Sequence, residues 1–411
     1  MESLKELYKI GPGPSSSHTI GPKNAALKFK KMYSSATNYR VVLFGSLALT
    51  GKGHLTDVIL KETMKPIPTE IVFTHKFIKE NANTMDFFAY KEGKEIGYMR
   101  AYSVGGGTII IEGEAITETI DVFPYNSMME IKDKMVSSKI SLVDLVCSYD
   151  LGIKEYLHDV FIKMINCVDR GIKAEGIIPG KLKLERVAKS IYQDALQLVD
   201  KGNGISEKNK LLLTAYAYAG AEENAAGGTV VTAPTCGSAG IVPAILYFYY
   251  KNRQVSEEKL IDALIVGGVF GNLVKKNATI SGASGGCQAE IGTACSMAAA
   301  MTAYLMDCDI YQIEYAAEVA MEHHLGLTCD PIMGYVQIPC IERNGVAVLR
   351  AYDAAIFGRH ISNFRRNRVS FDDVVSVMKE TGNSLKKDYK ETSKGGLARK
   401  FKNVFKKKKE K

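Results

Sequence analysis

Phe123-Pro-Tyr-Asn-Ser127 is where this 411-residue chain changes its hydrophobic period. Before it, residues 69–77, 85–91 and 95–102 alternate in the manner of strands, and Gly105-Gly-Gly-Thr-Ile-Ile-Ile111 reads as a turn and one strand more. Upstream, Asn24 to Met32 reads as a helix. Arg40 to Leu49, apolar and β-branched, reads as a strand that feeds a glycine-rich turn and a short helix through Lys61. Strands with two helices make a small α+β sandwich. From Ser127 onward, apolar residues recur at helical spacing in stretches around 127–149, 155–170, 181–200, 206–220, 237–251, 256–275, 287–306, 310–325, 346–357 and 371–381. Ser206-Glu and Ser256-Glu-Glu look like helix starts with acid in the first turn. The expected organisation is an α+β domain over residues 1–126, an all-α domain over 127–393 and a basic tail over 394–411.

Two glycine- and proline-rich stretches between the helices carry three separated cysteines. One is Gly282-Ala-Ser-Gly-Gly-Cys287-Gln-Ala-Glu290; the other is Cys329-Asp-Pro-Ile-Met-Gly-Tyr-Val-Gln-Ile-Pro-Cys340. The cysteines lie 42 and 11 positions apart and form no CxxC pair, which disfavours a zinc knuckle and a ferredoxin. Three thiolates gathered by the fold could hold an iron-sulfur cluster with one iron open as a Lewis acid. Spacing alone favours the plainer reading of three buried thiols. Cys147, Cys167, Cys295 and Cys308 sit in helix-like apolar surroundings and read as core. Cys236, in a Pro/Gly turn, is a candidate to line a site without ligating iron.

The N-terminal half offers two polar turns. Residues 11–22 form a loop that Pro and Gly keep from starting as a helix. There the hydroxyls of Ser15, Ser16, Ser17 and Thr19, with amides at a helix start, could cradle a small carboxylate. A Ser-rich turn and cap is the plainer alternative. His18 adds a titratable group. His54, followed by Thr56 and Asp57, is either an imidazole held by a carboxylate or a surface residue in a turn. Gly51-Lys-Gly53 falls short of a dinucleotide fingerprint.

Six ordered motifs resemble one family, the single-chain bacterial iron-sulfur L-serine dehydratases (L-serine ammonia-lyases). They are Gly13-Pro-Ser-Ser-Ser-His18-Thr-Ile-Gly-Pro22, Gly45-Ser-Leu-Ala-Leu-Thr-Gly-Lys-Gly-His54-Leu-Thr-Asp57, Thr232-Ala-Pro-Thr-Cys236-Gly-Ser-Ala-Gly240, the two cysteine stretches, and Glu391-Thr-Ser-Lys-Gly-Gly396. The resemblance implies a 4Fe-4S cluster on Cys287, Cys329 and Cys340, whose unligated iron takes the hydroxyl of L-serine on the way to pyruvate and ammonia. It also implies an N-terminal domain similar in fold to an allosteric substrate-binding domain of phosphoglycerate dehydrogenases. Within that frame His54 is expected to be the base and His18 a positioning residue, or the reverse. Ser15, Ser16, Ser17 and Thr19 would bind the substrate carboxylate, which makes the site interdomain. Some members end in a cysteine that reaches the open iron. This sequence ends Lys-Lys-Lys-Lys-Glu-Lys, so water or an anion is expected at that position and the resting cluster should be more open to oxygen. The compact N-terminal part leaves little room for regulatory segments.

Composition excludes several classes. The formal charge of +8 is matched by the stretch from Lys394 to Lys411, with nine Lys/Arg and one Glu, so the body is neutral and a nucleic-acid partner is not expected. Eight cysteines are too sparse for a disulfide scaffold. The N-terminus lacks the order of a secretory signal, and Ile291 to Met306 is too short and too rich in small residues for a bilayer span, so a cytoplasmic protein without a membrane partner is expected. A homodimer is the default assembly. Pyridoxal-phosphate chemistry leaves Cys329 and Cys340 unexplained. A non-catalytic cluster sensor needs no base and leaves the histidine loops unexplained. Threonine or cysteine as substrate differs by too little for sequence to exclude.

Overall fold

The computed structural model describes residues 1–74, 76, 78–81, 83–114, 121–198 and 207–401. Before the boundary lie β1 (Ile10–Pro12), α1 (Gly21–Met32), β2 (Asn38–Leu43), α2 (Gly45–Thr50), α3 (Thr56–Met64), β3 (Thr69–Phe73), β4 (Thr84–Lys91), β5 (Lys94–Gly105) and β6 (Thr108–Ile111). After it come α4 (Met128–Ser138), α5 (Leu142–Tyr149), α6 (Ile153–Gly171), α7 (Ala188–Gln197), α8 (Glu207–Ala225), β7 (Thr229–Val231) and α9 (Ile241–Arg253). The chain continues through α10 (Glu257–Asn277), α11 (Gly282–Gly285), α12 (Thr293–Leu305), α13 (Ile310–Glu322), α14 (Cys340–Ile361) and α15 (Phe371–Ser384). An α+β part followed by a mostly helical part is the expected fold class. Residues 75 and 77 of the expected strand 69–77, the expected helix start at Ser206, and residues 402–411 of the basic tail lie outside the described residues.

The sheet runs β3-β2-β4-β5-β6, parallel between β2 and β3 and antiparallel elsewhere. A parallel pair needs a crossover, and α2 with α3 supplies it. Alternate residues Val41, Leu43, Met85, Phe87, Met99 and Ala101 are buried with Phe29 of α1 and Leu60 and Met64 of α3. That period of two is the signal the sequence carried. The strand expected to reach Leu49 stops at Leu43. Gly45 takes φ 51°, which turns the chain so that Gly45–Thr50 is helical with Leu47 and Ala48 buried. Alternation was never strong there, and the turn decides the outcome.

The first dozen residues depart from their sequence neighbours. Met1, Leu4, Leu7 and Tyr8 join the core of the helical part, Tyr8 donates its hydroxyl proton to the Leu264 carbonyl at 2.9 Å, and β1 pairs antiparallel with β7. The chain therefore begins in the helical part, leaves it to build the sheet, and returns. At the centre lies α12, whose residues are all buried except Tyr304. Glycines of α10 let it approach closely: a Cβ at Gly267 would lie 2.6 Å from the Met301 side chain. No described helix is long and apolar enough to cross a membrane.

Candidate active site

The three cysteines meet at the inner ends of two helices. Gly286, at φ 75°, turns the chain after α11; Cys287 then precedes a wide helical turn, Gln288–Gly292, that runs into α12. Gln288 ties this turn to the next loop, because its backbone N–H donates to the Leu327 carbonyl and its side-chain Oε1 accepts from Gly326 N–H at 2.9 Å. That loop carries Cys329, and Cys340 opens α14. One pocket is lined by Cys287, Cys329, Cys340, Glu290, Glu391 and His54. Ligand atoms of Cys287, Glu290 and Cys329 lie within 4.8 Å of one another. The neighbouring Cys329 thiol, with the Arg343 guanidinium, holds the Cys287 pKa below its ordinary value despite burial. Burial pushes the Cys340 thiol well above its ordinary value. Of the other cysteines, Cys295 donates to the Ala347 carbonyl, and Cys236 packs with Ile20, Cys167, Val230 and Ala239. Cys236 therefore misses the pocket, which its neighbour Gly237 lines instead.

His54 lines this pocket from the N-terminal part, and His18 packs against its ring without lining the pocket itself. Ser16–Ile20 is not an open loop as expected but a wide helical turn continuous with α1, which buries His18 at 1% exposure. Its Nδ1 lies 2.9 Å from the Ser17 hydroxyl and its Nε2 2.9 Å from that of Thr50. Since Thr50 Oγ1 also donates to the Ser46 carbonyl, the His18 N–H sits on Nε2 and donates to Thr50. His54, 4.4 Å away between ring centres, donates from Nδ1 to the Thr50 carbonyl at 3.1 Å. A carbonyl only accepts, so the proton is on Nδ1 and the Nε2 lone pair is free. That Nε2 is buried and has no partner. Burial lowers the pKa of His54 to about 4 and that of His18 well below the ordinary value. Both rings are neutral at pH 7, and no carboxylate of Asp57 is needed to orient His54.

Ser15, Ser16 and Ser17 line a second cavity of about 1170 Å³ bounded by β6 and by the segment after α10. Ser15, Ser16, Glu290 and Glu391 line both spaces, so they mark the passage from the large cavity to the cysteines. Thr19 is the exception among the four predicted hydroxyls. It is fully buried and lies 2.7 Å from the Pro12 carbonyl and 2.6 Å from that of Ser15, closing the turn rather than facing either cavity.

Sequence reasoning missed the charged groups around the thiols. Arg343, one turn into α14, donates to the Thr328 carbonyl at 2.6 Å and stands 3.7 Å from Asp330. Glu290 accepts from the Thr235 hydroxyl at 2.7 Å, and a Cβ at Gly282 would lie 2.6 Å from its Oε2. Burial pushes the Glu391 carboxyl up to about 8 and raises that of Glu290 as well. Both glutamates stand at the edge of a sequence motif, yet nothing in their spacing said they would meet.

Two families match the chain: one described as Serine dehydratase alpha chain, over residues 80–398, and one described as Serine dehydratase beta chain, over residues 3–64. The chain belongs to the serine dehydratase family. L-serine dehydratase 2 of Escherichia coli (strain K12) is 38% identical over 456 aligned residues, covering 98% of this chain and 99% of that protein. L-serine dehydratase of Streptomyces coelicolor is 38% identical, covering 96% and 98%. That of Helicobacter pylori (strain ATCC 700392 / 26695) is 36% identical, covering 97% and 99%. The 456-position alignment exceeds the chain's 411 residues, so parts of that relative have no counterpart here. In this serine dehydratase the beta-chain match contributes the serines and both histidines, and the alpha-chain match contributes the cysteines, Arg343, Glu290 and Glu391.

Proposed function

We propose that this chain is an L-serine ammonia-lyase, converting L-serine to pyruvate and ammonia at a 4Fe-4S cluster held by Cys287, Cys329 and Cys340. The donor set suits such a group: three thiols in one pocket, with Cys287 and Cys329 buried and Cys340 half-buried, an arginine beside them to offset negative charge, and, among the described residues, no further cysteine lining that pocket. A cluster held by three thiolates supplies, when bound, an open iron that acts as Lewis acid toward the substrate hydroxyl.

The observation that carries the residue roles is the free, buried Nε2 of His54, a residue that lines the same pocket as the three cysteines. Dehydration must remove a poorly acidic α-proton, and His54 accepts it at Nε2. Its Nδ1–H stays on the Thr50 carbonyl and stabilises the imidazolium as it forms. His18, with both nitrogens engaged, packs against the His54 ring as a positioning residue. The hydroxyls of Ser15 and Ser16 hold the substrate carboxylate at the passage, while Ser17 donates to His18 Nδ1 and Thr19 fixes the shape of their turn. Loss of the α-proton and of the hydroxyl leaves aminoacrylate, which tautomerises and hydrolyses to pyruvate and ammonia.

The test is an anaerobic preparation assayed for iron, sulfide and pyruvate release from L-serine, before and after air. Iron and sulfide near about four each per chain, with air-sensitive pyruvate release, is expected. An iron-free enzyme with a borohydride-sensitive chromophore, or a cluster protein that leaves L-serine untouched, overturns the reading.

A further inference from the structure

The chain after α15 straps the Cys329 loop and delivers one more group to the passage. Cys329 N–H donates to the Tyr389 carbonyl at 2.8 Å, and Glu391 N–H donates to the Cys329 carbonyl at 2.7 Å. The Ser393 hydroxyl donates to the Pro331 carbonyl at 2.7 Å, and Leu397 N–H to Asp330 Oδ2 at 2.6 Å. These bonds hold Glu391 at φ 56°, in the left-handed region that a long side chain rarely adopts. So placed, its side chain lines both the cysteine pocket and the large cavity.

Charge pairing singles it out. Three lysines of the large cavity already have anions: Lys28 with Glu114, Lys275 with Glu2, and Lys276 with Asp121. Glu290 is held by Thr235. Among the described residues, Glu391 is the one of the two carboxyls at the passage that has neither a hydrogen-bond nor an ion-pair partner. L-serine presents a carboxylate, a hydroxyl and an ammonium, and the first two are taken by the serine turn and the thiol side. A desolvated ammonium needs an anion, and an ammonium beside Glu391 offsets the burial that otherwise keeps its carboxyl protonated.

We propose that Glu391 receives the α-ammonium of the substrate and so selects amino acids over hydroxy acids. The assignment rests on L-serine being processed at this pocket. It also accounts for the stretch from Glu391 to Gly396, whose glycines and Ser393 shape the strap that aims one carboxylate.

The experiment compares the anaerobic holoenzyme with Glu391→Gln and Glu391→Asp, using L-serine as substrate and L-glycerate, which carries a hydroxyl in place of the ammonium, as competitive inhibitor. In Glu391→Gln, kcat/KM for L-serine should fall at least thirtyfold, mostly through KM, while Ki for L-glycerate moves less than threefold. Glu391→Asp, which keeps the charge one methylene shorter, should recover part of the preference for serine. Equal weakening of both ligands, or no change in either, overturns the assignment. Iron content is measured in each variant; should the Gln variant lose iron, the serine-to-glycerate ratio of the Asp variant decides. Absence of serine dehydration by the unaltered enzyme would sink the lyase reading itself, whereas normal dehydration with an unchanged ratio in the variants sinks this assignment alone.

Discussion

Replacing His54 by Ala should abolish turnover while leaving the thiol pocket intact. A positioned general base contributes roughly 10² to 10⁴ in rate, about 3 to 5 kcal/mol of barrier. The structural cost is small by comparison. The substitution removes one hydrogen bond to the Thr50 carbonyl, worth about 1 kcal/mol, but also removes the unpartnered buried Nε2, whose desolvation costs about 1 to 3 kcal/mol. Opposed terms of similar size leave the fold standing. Pyruvate release followed anaerobically with lactate dehydrogenase, alongside iron content and far-ultraviolet circular dichroism, separates the two effects. The pH profile adds a second arm. With its pKa pushed down to about 4 by burial, His54 stays neutral from pH 7.5 to 5.5, and kcat/KM should be flat across that range. A base with the ordinary value near 6.5 would lose about tenfold over the same interval. A kcat for His54→Ala within tenfold of the parent at full iron content, or an acid limb centred near 6.5 in the parent, refutes the reasoning.

Cys340→Ser should cut iron retention sharply with little change in circular dichroism; a variant that keeps the full complement of iron removes Cys340 from the ligand set. Buried neutral histidines make stability depend on pH: His54 and His324 have folded pKa values lowered to about 4 by burial, so the unfolded chain takes up protons first as pH falls through about 6.5. Burial acts in the opposite sense on Glu391 and Glu318, raised to about 8 and about 7, so the histidine part is read by difference: in urea titrations between about pH 6.5 and 4 His324→Gln should lose less stability than the parent, by up to about 1.4 kcal/mol per pH unit, and identical pH dependence contradicts the burial. Gly282→Ala would place a Cβ 2.6 Å from Glu290 Oε2 and 3.3 Å from the Cys329 sulfur, so a loss of about 1 to 3 kcal/mol in unfolding and weaker iron retention are expected. Tyr8→Phe leaves the Leu264 carbonyl without its donor and should cost about 1 kcal/mol or more in thermal unfolding, because the N-terminal segment belongs to the helical core.

Periodicity made much of the fold legible before any coordinates. Alternation in β4 and β5 and the helical spacing after Ser127 both reflect burial on one face, which local sequence records directly. Where burial comes from distant contacts, the record fails. Met1 to Pro12 reads as the start of the α+β part, yet β1 pairs with β7, more than two hundred residues away, its only strand partner among the described residues. The stretch 127–149 reads as one helix, but Lys139 takes φ 55° and Ser141 caps a new one.

Residue type and local pattern were enough for the fold class, whereas the three thiols and the two histidines were singled out by the resemblance of their motifs, since spacing alone favoured plainer readings of them. The roles of these groups came from tertiary contacts. Thr50 sits between the two histidine turns, where its carbonyl sets the tautomer of His54 and its hydroxyl occupies His18, and this distinguishes the two rings. Thr19 turns inward to close its loop, Cys236 stops one residue short of the pocket, and Glu391 reaches the pocket through a strap pinned to Pro331 and Asp330. Each of these outcomes depends on which polar group a side chain or backbone atom meets once the chain has folded, and no local pattern encodes that choice.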